Sequence, residues 1–158
     1  MRSILNLPAR RAWIGIAVVF VAGVVVGTAL TLPSEAAVQA PERTFSSPAA
    51  LQFNPIRLDR TAEFEGVLAK VKEALQNSDN PQRRQQLAGW KVFKSTEELQ
   101  GNIMYLFLMD PTVPDANYAI SMILNEAFPA EVQELYETFS GAYVGGQSIM
   151  NLEPLAGF

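Results

Sequence analysis

The amino-acid sequence predicts an α+β domain: an antiparallel sheet with helices on one face, preceded by one N-terminal helix of membrane-spanning length. Three observations carry this. Short apolar runs with strand composition alternate with stretches of helical periodicity in the order β-α-β-β-α-β. Gly, Pro, Asn and Asp punctuate the joins. A long uncharged segment stands apart, near the N-terminus.

The domain is expected over 50–158. Leu51, Phe53, Ile56 and Leu58 form a first strand, with Pro55 marking an edge or bulge. Thr61 reads as a helix N-cap, with Glu63 and Glu65 in the first turn. Phe64, Val67, Leu68, Val71 and Leu75 then repeat on one helical face, and Ser78 to Pro81 ends the helix. Leu87 to Ser95 has strand composition, and Thr96 to Gly101 reads as a hairpin loop. Asn102 to Met109 (NIMYLFLM) is apolar at both parities, as a strand covered on both faces would be. A two-piece helical region follows. Asp115 caps the first piece, Pro129 opens the second, and Val132, Leu135, Tyr136, Phe139 and Tyr143 make its buried stripe. Gln147 to Leu155 is the last strand, with Pro154 at its fraying end. This order is the ferredoxin-like split βαβ arrangement.

The N-terminal part divides into a basic start (1–12), an apolar segment (13–32) and a linker (33–49). Trp13 to Leu32 carries no charge. At about 1.5 Å per residue its length matches the roughly 30 Å core of a bilayer. Arg10 and Arg11 precede it, and no basic residue follows before Arg43. The positive flank therefore stays cytoplasmic and places the domain outside, periplasmic or extracellular. Two readings stay open: an uncleaved anchor, or a signal peptide cut near Ser34 to Ala36, which would release the domain. Gly23, Gly27 and Thr31 repeat small residues at a spacing that lets two membrane helices approach.

Composition narrows the chemistry. The 158 residues include no histidine and no cysteine. That removes a Ser-His-Asp triad, a cysteine nucleophile and the usual zinc, proximal haem and iron–sulfur ligands. Net charge is −4, and three arginines against one acid lie before Ala37, so the domain itself is acidic and a poor partner for nucleic acid. Glu131, Glu134 and Glu137, with Glu126 nearby, read as a solubilising face rather than a cation site. Arg83 and Arg84 read as a solvated turn, and Asp79-Asn80 lacks the rest of a calcium loop. No cofactor is expected.

Thr61 to Leu68 (TAEFEGVL) before a long helix, Gly89 to Lys94 (GWKVFK), and an apolar strand ending Met109-Asp110-Pro111 together resemble the dimeric α+β barrel superfamily. The antibiotic-biosynthesis monooxygenase-like domains belong to it. The resemblance runs from about Leu51 to Leu155, and the chain is also similar to exported bacterial proteins of unassigned activity. It implies two sheets meeting face to face around a pocket, in a homodimer. Some members oxidise aromatic substrates and some handle haem. No catalytic residue carries over, and the lack of histidine speaks against haem.

Lys91 in mid-strand marks the wetter sheet face, with Phe93 beside it and Trp90 and Val92 towards the helices. On the next strand the aliphatic set Met104, Leu106 and Leu108 is expected in the helix-packed core, and Tyr105, Phe107 and Met109 on the open face. Lys91, Phe93, Tyr105, Phe107 and Met109 are therefore the candidate pocket or dimer face. Two functions compete: a non-enzymatic, dimerising module that binds a partner or a small apolar ligand, and a cofactor-poor monooxygenase-like enzyme working in a pocket at that face. The missing residue types favour the module.

Overall fold

The computed structural model describes residues 42–157. The membrane-length segment with Gly23, Gly27 and Thr31, and the first part of the linker, lie outside the described residues. Among those described, no helix is long and apolar enough to cross a membrane.

Strand β1 (Ala49–Arg57) leads through a short 3-10 turn into α1 (Thr61–Asn77) and α2 (Pro81–Gly89). A hairpin, β2 (Trp90–Lys94) and β3 (Asn102–Met109), follows; then come α3 (Ile120–Ala127), α4 (Val132–Gly141) and β4 (Ser148–Leu152). The sheet order is β2-β3-β1-β4, and every pairing is antiparallel. This is the α+β, ferredoxin-like arrangement. β1 and β3 pair along their whole length, from Ala50 opposite Met109 to Arg57 opposite Asn102.

Helix α1 is the hub of the helical layer and packs on α2, α3 and α4. Its buried stripe is Phe64, Val67, Val71, Ala74 and Leu75. Phe64 has no exposed surface and meets four rings: Tyr105, Phe107, Phe139 and Tyr143, at centroid distances of 4.9 to 6.3 Å. Such tilted and offset pairs add to the burial of the rings themselves. Thr61 is the first helical residue rather than the cap, and its hydroxyl donates to the Leu58 carbonyl at 3.2 Å.

Several boundaries differ from the sequence expectation. Residues 81–89, read as turn and early strand, are helical. Asn80 caps them, its Oδ1 accepting from the Gln82 N–H at 2.9 Å, with Pro81 at the first helical position. Gly89 ends the helix where a Cβ would lie 2.3 Å from the Pro111 carbonyl oxygen, so only glycine allows this approach. Asp115 caps no helix: it sits at φ 57° in the loop before α3. Helix α3 has no side-chain cap; Asn117 Oδ1 accepts from the N–H of Ala119, the residue that precedes the helix, at 2.8 Å.

Of the linker expected over 33–49, the described residues 42–49 pack on the domain. Phe45 is buried in the core against Tyr118. The Arg43 carbonyl accepts from the Tyr118 N–H at 2.7 Å, and the Pro48 carbonyl from Thr112 N–H at 2.8 Å. One aromatic side chain in a low-complexity stretch is enough to fasten it, because burying a Phe is worth about 1.5–3 kcal/mol.

Candidate functional site

Strand register settles which side chains share a face. Lys91 lies opposite Leu108 and Phe93 opposite Leu106, so these four occupy one face. Leu51 and Phe53 of β1 lie opposite the same two leucines, and Pro55 opposite Met104. Met150 of β4 extends the row. Among the described residues no helix covers this face. It is thus apolar almost throughout, with Phe93 51 % and Met150 48 % exposed.

Tyr105, Phe107 and Met109 are not on it. They alternate with the leucines, are almost fully buried, and face the helices. Phe107 packs edge-on to Trp90 at 5.6 Å, and Tyr105 against Phe64 at 4.9 Å. The expected assignment for β3 is therefore reversed: the aliphatic set Met104, Leu106 and Leu108 is open and the aromatic set is core. Lys91 and Phe93 do take the open face. The Tyr105 hydroxyl finds its polar partner at the edge of the helical layer, where it donates to Glu65 Oε1 at 2.6 Å, and Lys94 donates to the same oxygen at 2.8 Å. Burial, then the bond to Glu65, push the Tyr105 pKa up to about 12, while the bonds from Lys94 and Tyr105 hold the Glu65 carboxyl below its usual range.

β1 inverts the usual reading as well. Its polar residues Gln52 and Asn54 face inward and are 3 % and 0 % exposed. They are kept there by a closed set of hydrogen bonds. Asn54 Oδ1 accepts from Gln52 Nε2 at 2.7 Å, the Tyr143 hydroxyl at 3.0 Å and Gln147 Nε2 at 3.1 Å. Asn54 Nδ2 donates to the Tyr105 carbonyl at 3.1 Å. Arg43 Nη1 donates to Gln52 Oε1 at 2.9 Å and to Gln147 Oε1. Burial lowers the Arg43 pKa and raises that of Tyr143. A cleft of about 100 Å³ opens beside this cluster, between Arg43, Gln52 and Gln147 on one side and Tyr118, Ser121, Tyr136 and Phe139 on the other. Sequence reasoning missed it. The one available signal was the Gln52/Asn54 alternation in β1, which reads equally as a solvated face.

The remaining candidates resolve into structural pairs. Arg83, read as a solvated turn residue, is 6 % exposed and ties α2 to α3 through Glu126, with Nε to Oε2 at 2.9 Å, while its Nη1 also donates to Gln86 Oε1 within α2 at 2.8 Å. Arg84 remains exposed. Glu131 lies 3.7 Å from Lys70. Among the described residues no group of three His, Cys, Asp or Glu side chains could hold a metal ion.

No family model matches this chain, and no curated protein matches it. A solved structure does. It is a Caulobacter crescentus CB15 protein named as a candidate antibiotic biosynthesis monooxygenase. It is 15 % identical, with a TM-score of 0.38, over 68 % of this chain and 88 % of that one. The ferredoxin-like fold is defined by the strand order β2-β3-β1-β4 and its antiparallel register.

Proposed function

We propose that this chain is a membrane-tethered or exported module that acts outside the cytoplasm as a homodimer, joined sheet to sheet, and binds rather than catalyses. One observation carries the dimer: the open face presents Leu51, Phe53, Met104, Leu106 and Leu108 in adjacent register, with Lys91 on β2 and Arg57 at the far end of β1 as the strand charges beside them. Soluble monomers rarely keep a contiguous apolar patch of this kind, and a twofold partner covers it with the same surface. The enzymatic alternative, oxidation of a small aromatic substrate in a pocket at this face, loses support because the Tyr105 hydroxyl lies on the other side of the sheet from Lys91. The outward location rests on the uncharged segment and its arginine flank.

Sedimentation at micromolar concentration tests the dimer. The wild-type domain should run as a dimer, and Leu106→Glu as a folded monomer, because a charge at the centre of the joint has no partner. A folded wild-type monomer sinks the proposal. N-terminal sequencing of the mature protein separates anchor from cleaved signal: a start near Ala37 means release.

A further inference from the structure

On the opposite side of the sheet from the open face, the geometry points to a binding site for a small organic carboxylate in the cleft at Arg43. Arg57, Arg60 and Arg83 each have a carboxylate partner: Asp59, Glu63 and Glu126. Arg43 is partly buried and has none among the described residues. Withdrawing a guanidinium from water without an anion is costly.

The remaining donors of Arg43 stay in reach of water: among the described residues the one buried side-chain polar atom without a partner is Trp90 Nε1. A guanidinium carries five N–H donors in a planar fork. Gln52 and Gln147 accept from Nη1, while Nε and Nη2 make no side-chain hydrogen bond among the described residues. That leaves the edge whose two parallel donors match the two oxygens of a carboxylate. Both glutamines are fixed behind Arg43 by Asn54 and Tyr143, so the guanidinium is held in position before a ligand arrives. The cleft it lines is walled by Tyr118, Ile120 and Phe139 and flanked by Ser121. This suits a carboxylate head with a short apolar tail. At about 100 Å³ it limits the ligand to a few non-hydrogen atoms. The site is independent of the dimer, and either can fail alone.

The test uses the full-length chain purified in detergent and ligand-observed NMR with propionate, propionamide and inorganic phosphate as probes. Propionate should bind, and propionamide, which keeps the shape without the charge, should bind at least about tenfold more weakly, since a hydrogen bond to a charged group is the stronger. Arg43→Lys keeps the charge and loses the fork, and should also weaken propionate about tenfold. Gln147→Glu supplies an internal carboxylate to Arg43 at the cost of the bond that Gln147 Nε2 donates to Asn54, and should abolish propionate binding in a chain whose fold circular dichroism still reads as native. This second variant decides the matter if Arg43→Lys does not fold. Absence of propionate binding, equal binding of propionamide, binding unchanged in Gln147→Glu, or a response to phosphate alone would each overturn the assignment.

Discussion

Leu106 and Phe107 are adjacent in β3 and should fail in opposite ways. Phe107 has no exposed surface and packs on Phe64 and Trp90 at 6.3 and 5.6 Å. Truncating such a ring to alanine costs about 3–5 kcal/mol. Against a total stability of about 5–15 kcal/mol this is a large share. With a urea slope of about 2 kcal/mol/M, Phe107→Ala should lower the unfolding midpoint by about 2 M. The loss should be the same at low and high protein concentration, because it comes from within one chain. Leu106 faces the joint between chains under the proposed dimer, so its contribution is tied to association. The wild-type midpoint should rise with protein concentration, and Leu106→Glu should remove that rise. Urea unfolding of a fragment beginning at Glu42, followed by circular dichroism at two concentrations, reads both effects. A Phe107→Ala midpoint within about 0.5 M of wild type, on the same slope, would refute the assignment of the aromatic set to the core.

Two other predictions follow from the same structure. A fragment starting at Ala50 should be less stable than one starting at Glu42 by at least about 1.5–3 kcal/mol, the value of burying Phe45, since the hydrogen bonds of Arg43 and Pro48 go with it, as measured by the same urea titration. The Tyr105–Glu65–Lys94 contact should leave two marks on the pH profile. The folded Tyr105 pKa is raised to about 12, so its contribution is complete below the unfolded value near 10 and is lost as pH climbs through about 12. The folded Glu65 pKa is lowered, so its contribution is present above the unfolded carboxylate value and lost as pH falls through the folded one. Tyr105→Phe should remove one tyrosine from the late part of the ultraviolet tyrosinate titration, leaving the late contribution of buried Tyr143, and Glu65→Gln should flatten the acid limb of stability. A profile unchanged by both would mean the contact is not formed in solution.

What the sequence determined by itself was local. The i, i+3, i+4 repeat of α1 and the turn chemistry at Thr96 to Gly101 are encoded within a few residues of where they act, so the element order and the ferredoxin-like class were legible. So was the open position of Lys91, since a mid-strand lysine seeks water. Helix α2 was legible in principle, through Asn80-Pro81, but its polar composition, with Arg83 and Gln86, hid the fact that both are buried.

Only the tertiary structure could decide which face of β3 meets the helices. With leucines at one parity and aromatics at the other, alternation carries no information, and the choice depends on what packs above. Phe64 offers an aromatic surface, and Glu65 beside it offers an acceptor for the Tyr105 hydroxyl. Nor could the inward turn of Gln52 and Asn54 be read from β1, because their partners Tyr143, Gln147 and Arg43 are brought there from both ends of the domain. A polar side chain declares its preference for water in the sequence; only folding reveals that enough hydrogen-bonding partners have been gathered to replace it.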